Sequence, residues 1–303
     1  MTILNLDSNI NRRRALALGG IVGSLIANST FGARVARAET TSPSEDHEGG
    51  FKEIEEIIQA QGMFSDGVFS IEIDRNDIPN VTLHGVPIKP AFEINGNLYF
   101  QKLDEDRVIM NSDVALKAEE LDPFLDQLLA HDIVFQAEHQ HFYDFSPLVW
   151  FIHFRAVGDP ERIARGVKAA LDVTSTPFPQ TLPTNPTTPL PADEMGEILG
   201  ASPNIGSDGV VNFDVPRKEP IRLGGIQINP YLNIAATVAF EPYGGNQNAA
   251  AVVDFSLIAS EINNVMKVMR RKHWDVGCLI TRRPMNSLNC ISHTSLKRAM
   301  HYN

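Results

Sequence analysis

The sequence predicts an α+β protein made by tandem duplication, each repeat a mainly antiparallel sheet with helices on one face. Three observations predict it. First, Ser65-Asp66-Gly67-Val68-Phe69-Ser70-Ile71 recurs as Ser207-Asp208-Gly209-Val210-Val211-Asn212-Phe213. Second, the echoes keep their order. Arg75 answers to Arg217, Gly85…Pro90 to Gly225…Pro230, and Asp113 with Glu120 to Asp254 with Glu261, at an offset near 141 residues. A stable offset over so long a stretch marks an internal repeat. Third, strand and helix patterns succeed one another as strand, helix, strand, strand, helix, which suits helices packed on one side of an antiparallel sheet.

Within the first repeat, Phe51, Ile54, Ile57 and Ile58 recur at helical spacing, so 51–61 is read as a helix. Ser65-Asp66-Gly67 is a turn, and from Val68 to Asp74 polar and apolar residues alternate as in a half-buried strand. Gly67, Gly85, Gly209 and Gly225 are read as turn residues with positive φ. Strands follow at 91–103 and 107–116, then a helix from Glu119 to Ala130 carrying Leu121, Phe124, Leu125, Leu128 and Leu129. Two histidine-bearing strands come next. Asp159-Pro160 then opens a helix through Leu171, with Asp as cap and Pro in the first turn. Thr174 to Pro191 is rich in Pro and Thr, a composition that resists both helix and sheet ladder and reads as a semi-stiff linker. The organisation expected is a leader at 1–38, a polar, disordered segment at 39–50, repeat 1 at 51–173, the linker at 174–191, repeat 2 at 192–279 and an atypical tail at 280–303.

The leader is read from Arg12-Arg13-Arg14, the apolar run Ala15 to Ala27 and Ala36-Arg37-Ala38. These are the charged region, short apolar region and small-residue cleavage site of an export signal. The consecutive arginines and glycine-diluted run indicate the twin-arginine export machinery as a partner, with a periplasmic or secreted mature chain. The run is too short for a membrane span, which needs roughly 20 residues, and no later segment approaches that length. Removing 1–38 takes away five arginines and one aspartate, so the net charge moves from −11 to −15. So acidic a chain argues against nucleic acid as a partner. Only Cys278 and Cys290 are present, which excludes a disulfide framework.

The chemistry is concentrated in Ala137-Glu138-His139-Gln140-His141-Phe142 and Trp150-Phe151-Ile152-His153-Phe154. Residues two apart on a strand share a face, so His139 and His141 are expected side by side and Glu138 on the opposite face. A hairpin centred on Ser146 would set His139 directly across from His153. Three imidazoles on one face suit a divalent transition metal such as zinc, with an open fourth position for water or a small-molecule ligand. Asp113, Glu120 and Trp150 are candidate ligand-binding residues around it. The alternative is a non-catalytic binding or interaction protein whose aromatic residues, Phe142, Trp150, Phe151 and Phe154, line a small-molecule pocket. No Ser-His-Asp spacing, P-loop or dinucleotide fingerprint is present.

The two repeats, an Asp before a strand (Asp113), an acidic residue opening a helix (Glu120), the His-x-His strand (His139, His141) and the aromatic-His-Phe strand (His153) resemble the LppY/LpqO-type family of exported bacterial proteins. The resemblance spans roughly residues 51–279. It implies the two-repeat architecture and no particular reaction.

After Leu279 the echo of repeat 1 stops, and Ile280 to Asn303 is basic in an otherwise acidic chain. Codons compatible with Ile280 to Met300, read with one nucleotide added before them, give YNQETDEQPQLYFSHQFKTGD, which parallels SPLVWFIHFRAVGD of repeat 1. The tail is therefore read as a frame change, and as written it is expected to supply neither the closing strand nor the closing helix. Resequencing across the codons for Cys278 to Thr281 should show the missing nucleotide; a confirmed frame removes the idea. For export, replacing Arg12, Arg13 and Arg14 with Lys should leave the precursor in the cytoplasm, and unchanged export would refute the twin-arginine assignment.

Overall fold

A computed structural model describes residues 4–5, 51–243, 248–282 and 291–298, with side chains described over 51–243 and 249–279. The proposed leader cleavage site and the 39–50 segment lie outside the described residues. Of the leader, only Leu4–Asn5 is described, pairing with Asn248 and Ala249.

Repeat 1 contains strands β1 (Met63–Ser65), β2 (Val68–Asp74), β3 (Asn95–Lys102), β4 (Val108–Leu116), β5 (Val134–His139) and β6 (Trp150–Gly158). They form one antiparallel sheet in the order β1-β2-β3-β4-β6-β5. Repeat 2 contributes β7 (Asn204–Ile205), β8 (Val211–Val215), β9 (Ala236–Pro242), β10 (Asn248–Ile258), β11 (Cys278–Arg282) and β12 (Ile291–Arg298). Its order, β7-β8-β9-β10-β12-β11, is the same path. The duplication read from sequence is thus a duplication of topology.

Helices α1 (Lys52–Ile58), α2 (Pro90–Glu93), α3 (Leu121–Ala130), α4 (Pro160–Leu171), α5 (Ala192–Leu199) and α6 (Ala259–Arg271) complete the fold. Ile54 and Ile58 of α1, Phe124 and Leu128 of α3 and Val167 and Leu171 of α4 pack on Phe69, Ile71, Leu98, Met110, Ile152 and Phe154. In repeat 2, Leu199, Val265 and Met269 do the same against Phe213, Phe240, Val253 and Phe255. Asp159 caps α4 as expected, its carboxylate accepting from Arg162 N at 2.7 Å. The four expected turn glycines all have positive φ, between 75° and 85°. The strand expected from residue 91 starts instead at Asn95, because Pro90 begins the single helical turn of α2. The linker is tied down at Gln180, whose side chain accepts from Asp74 N and donates to Asp74 O.

The tail corrects one expectation. Ile280 to Asn303 was read as lacking a closing strand, yet β12 pairs with β10 from Ile291 to Arg298, in the slot that β6 fills in repeat 1. An open sheet edge is a backbone template, so pairing does not require side-chain alternation. Residues 283–290 and 299–303 lie outside the described residues.

A repeated ionic bracket joins sheet to helix. Arg75, fully buried, donates to the carbonyl of Ala115 and to both oxygens of Glu120, at 2.9 and 2.7 Å. Arg217 likewise donates to the carbonyl of Ser256 and to both oxygens of Glu261, at 2.8 and 2.9 Å. Each glutamate also accepts the backbone N–H three residues earlier, at Lys117 or Ile258.

The face of each sheet turned from its helices meets the other repeat. Ile221, Leu223, Ile228, Leu232 and Ile234 cover Val68 and Ile109 of sheet 1. Reciprocally, Ile78, Val81, Leu83, Ile88 and Phe92 share a core with Val210, Ala239, Ala250 and Val252 of sheet 2. Between these contacts runs a polar row. The register sets Glu72 beside Asn97, Asn97 beside Asp113, and Asp113 beside His153. Burial, then the nearby charge of Asp74, pushes Glu72 up to about 7, although Asn95 donates to it at 2.9 Å. Burial and the carboxylates of Asp214, Asp113, Glu72 and Asp254 push the Tyr99 phenol well above its ordinary range.

This row gives a pH prediction. The folded-state value of Glu72, near 7, lies above its ordinary 4.5, so folding favours the protonated form. Its contribution to stability is complete below the unfolded value and is lost as pH rises through about 7. Glu72→Gln should therefore raise the melting temperature by about 2–4 °C at pH 8 and give no gain at pH 4. Equal shifts at both values would show that Glu72 does not titrate in this way.

Candidate metal centre

β6 places His153 on the face opposite Ile152 and Phe154, and it is 1% exposed. β5, the edge strand beside β6, ends at His139. The pairing is Phe151 with His139 and His153 with Ala137, so the hairpin centres on Phe145 rather than Ser146. His139 and His153 are consequently diagonal rather than directly opposite. Because the slip is even across that pair, both remain on one face. A register shift follows between His153 and Phe154, where Phe135, not Gln136, becomes the partner.

His141 does not owe its direction to strand alternation, which corrects the expectation that the pair sits on one strand. It lies in the bend after β5, where its Nδ1 is 2.5 Å from Glu93 Oε1. Its ring lies flat on Phe151, with centroids 3.5 Å apart and an interplanar angle of 2°. Both contacts fix the ring. With Nδ1 carrying the proton that Glu93 accepts, a neutral imidazole keeps its lone pair on Nε2. Carboxylate support of this kind orients histidine ligands in metal sites.

The three rings converge. One ligand nitrogen from each of His139, His141 and His153 lies within 4.8 Å of the others. His139 Nε2 and His153 Nε2 are 2.7 Å apart. Nitrogens at 2.0–2.1 Å from a tetrahedral zinc stand roughly 3.3 Å apart, so that pair has to open by roughly 0.6 Å to share an ion. His139 is the least buried of the three.

The other candidate residues divide. Asp113 is the cross-strand neighbour of His153, and its Oδ1 accepts from Asn233 of repeat 2 at 3.0 Å. Glu120 is held in the bracket with Arg75 and also accepts from Ser175 N at 3.1 Å, so its contacts are structural ones away from the imidazoles. Strand alternation puts Trp150 on the helix-covered face, with Ile152 and Phe154, and it is Phe151 that touches a histidine. Sequence reasoning missed Glu93 and Gly277. Glu93 gave no signal, standing in a run read as strand. Gly277 approaches the His141 carbonyl so closely that a Cβ there would lie 2.0 Å from its oxygen.

No curated protein and no solved structure matches the chain. A family model described as "Domain of Unknown Function (DUF1259)" matches residues 52–173 and again 193–279, together more than half of the chain. Its first segment spans repeat 1 and contains all three converging histidines, and its second runs from α5 to the start of β11 in repeat 2. The chain belongs to that family of domains of unknown function.

Proposed function

We propose that this protein is an exported metal-binding protein whose single ion site is made by His139, His141 and His153, with zinc the favoured occupant. The observation that carries the proposal is the convergence of three imidazole nitrogens within 4.8 Å. Three neutral nitrogens with a carboxylate behind one of them suit zinc in a site that keeps a fourth position open. An open position lets the ion bind a small molecule or lower the pKa of a bound water, so metal-assisted hydrolysis is the reaction class proposed. Asp113 is the cross-strand neighbour of His153 and is the acidic residue proposed to face such a position. The two-segment family match accords with the two-repeat layout.

The aromatic-pocket alternative draws no comparable support. Phe142, Phe145 and Phe151 belong to the buried core between the repeats, and Phe154 lies under the helices. Repeat 2 offers no second three-histidine site among the described residues.

Purified from zinc-supplemented medium, the protein should carry about one equivalent of zinc, and the triple alanine variant of His139, His141 and His153 should carry none. Affinity should fall as pH drops through the imidazole range near 6.5, because ligating nitrogens must be unprotonated. Zinc binding that survives the triple substitution would overturn the assignment. So would a wild-type protein with no affinity for zinc or neighbouring divalent metals.

A further inference from the structure

We infer that repeat 2 sets the metal affinity of repeat 1, by clamping the loop that carries His141; the inference rests on the metal reading above. His141 is the one proposed ligand outside a strand, so the sheet does not fix its position. Besides the stacking of its ring on Phe151, three contacts bear on its loop, and two of them lead to repeat 2.

The first is the Glu93 carboxylate on the His141 ring, within repeat 1. The second is Gly277, in the segment leading into β11. A Cβ at this position would lie 2.0 Å from the His141 carbonyl oxygen, 3.2 Å from its carbon and 3.4 Å from Phe142 Cδ1. Real Cβ atoms do not approach backbone below about 3 Å, so only glycine lets the two backbones meet here. The third is a bridge through His84. Its Nδ1 is 2.5 Å from Asp144 Oδ2, three residues after His141, and its Nε2 is 3.5 Å from Asp275 Oδ2 in repeat 2. His84 and Gly85 both have positive φ, 51° and 75°, which makes a tight two-residue turn and presents the imidazole at its tip. Its backbone N–H also donates to Asp144 at 3.1 Å.

These contacts set Asp275, through His84, and Gly277 of repeat 2 against the His141 loop. β11 itself also lies against β5, the strand that ends in His139. Displacing the loop by even half an ångström moves one of three ligands relative to two that the sheet holds still. Gly277 and His84 are therefore positioning residues. They act on the ion through His141 rather than by touching it, in the way that outer-shell partners alter metal affinity by about 10–100-fold.

The test measures zinc affinity by competition with a chromogenic chelator, using the full chain. Cobalt absorption serves as a report of ligand geometry. Gly277→Ala should weaken zinc binding about 10–100-fold and change the intensity of the cobalt bands. His84→Ala removes the bridge without adding an atom, and it should weaken binding in the same direction. It decides the question if Gly277→Ala does not fold. The control is Gly196→Ala, whose Cβ would meet the Ala201 carbonyl at 2.7 Å under Phe213, in the helix-side core of repeat 2. It should lower the melting temperature of the metal-free protein and leave both zinc affinity and the cobalt spectrum unchanged. If wild type binds zinc but His84→Ala and any folded Gly277→Ala bind it equally well with an unchanged cobalt spectrum, the clamp is wrong and the metal reading stands. If Gly196→Ala weakens zinc as much as Gly277→Ala, the effect is general destabilisation and the clamp is again wrong. If wild type binds no divalent metal, both fall together.

Discussion

Each sheet of this protein has a second face to bury, and the two repeats solve that problem for one another. A six-stranded antiparallel sheet with helices on one side leaves its other side facing water or a partner. Here β4 is buried along all nine of its residues, which a one-sided covering does not produce. The second cover is an arm from the opposite repeat. Five aliphatic residues between Ile221 and Ile234 lie on sheet 1, and the stretch from Ile78 to Ile94 lies on sheet 2. At about 1.5–3 kcal/mol for each large apolar side chain withdrawn from water, either arm represents a large share of a domain's net stability of roughly 5–15 kcal/mol. Neither repeat, on this account, is a self-sufficient unit.

That exchange also explains the polar row from Glu72 to His153. A sheet face that packs wholly against apolar arms has no place for Asn97, Asp113 or an imidazole. The arms are apolar where they cross such residues as Val68, Ile109, Ala239 and Val252; elsewhere polar side chains meet across the interface, as Asn233 meets Asp113 and Ser207 meets Asp74. His153 stands at the end of this row, on the strand next to the edge strand β5, so the candidate metal centre lies at the margin of the interior between the repeats.

The elements legible in the sequence are those governed by local rules. The duplication, the turn glycines, the Asp159 cap and the helix faces follow from spacing and φ preference alone, and the structure contains them. The convergence of His139 and His153 was also legible, because both lie on paired strands and a shift of two residues keeps parity. The direction of His141 was not. It depends on Glu93, 48 residues away in sequence, and on Gly277 in the other repeat, and neither relation leaves a periodic trace. Trp150 was misplaced for the opposite reason. Its aromatic ring near His153 made it a binding candidate, but strand alternation, available in the sequence, assigns it to the helix side once His153 is assigned to the other. Glu120 illustrates a third case, in which a repeated acidic residue serves a repeated structural bracket. The pairs Arg75–Glu120 and Arg217–Glu261 are kept in both halves, whereas the histidines are present in one.

This difference between the halves bears on how the duplication came to be used. What both repeats retain is the bracket that ties the central strand to the following helix, and the arm that covers the other sheet. What only repeat 1 has is the converging histidine set. The family match to repeat 2 ends at Leu279, two residues after Gly277, where the basic tail begins. Everything that repeat 2 contributes to the His141 loop, namely Asp275 and Gly277, therefore lies before the break. β12 then fills the place of β6 with its backbone and sets Ser295 opposite Asp254, where repeat 1 sets His153 opposite Asp113. Even with the proposed frame restored, the translated segment has no His-x-His pair. Repeat 2 thus has the geometry of a support: it covers the sheet, closes on the loop, and leaves the converging histidines to its partner.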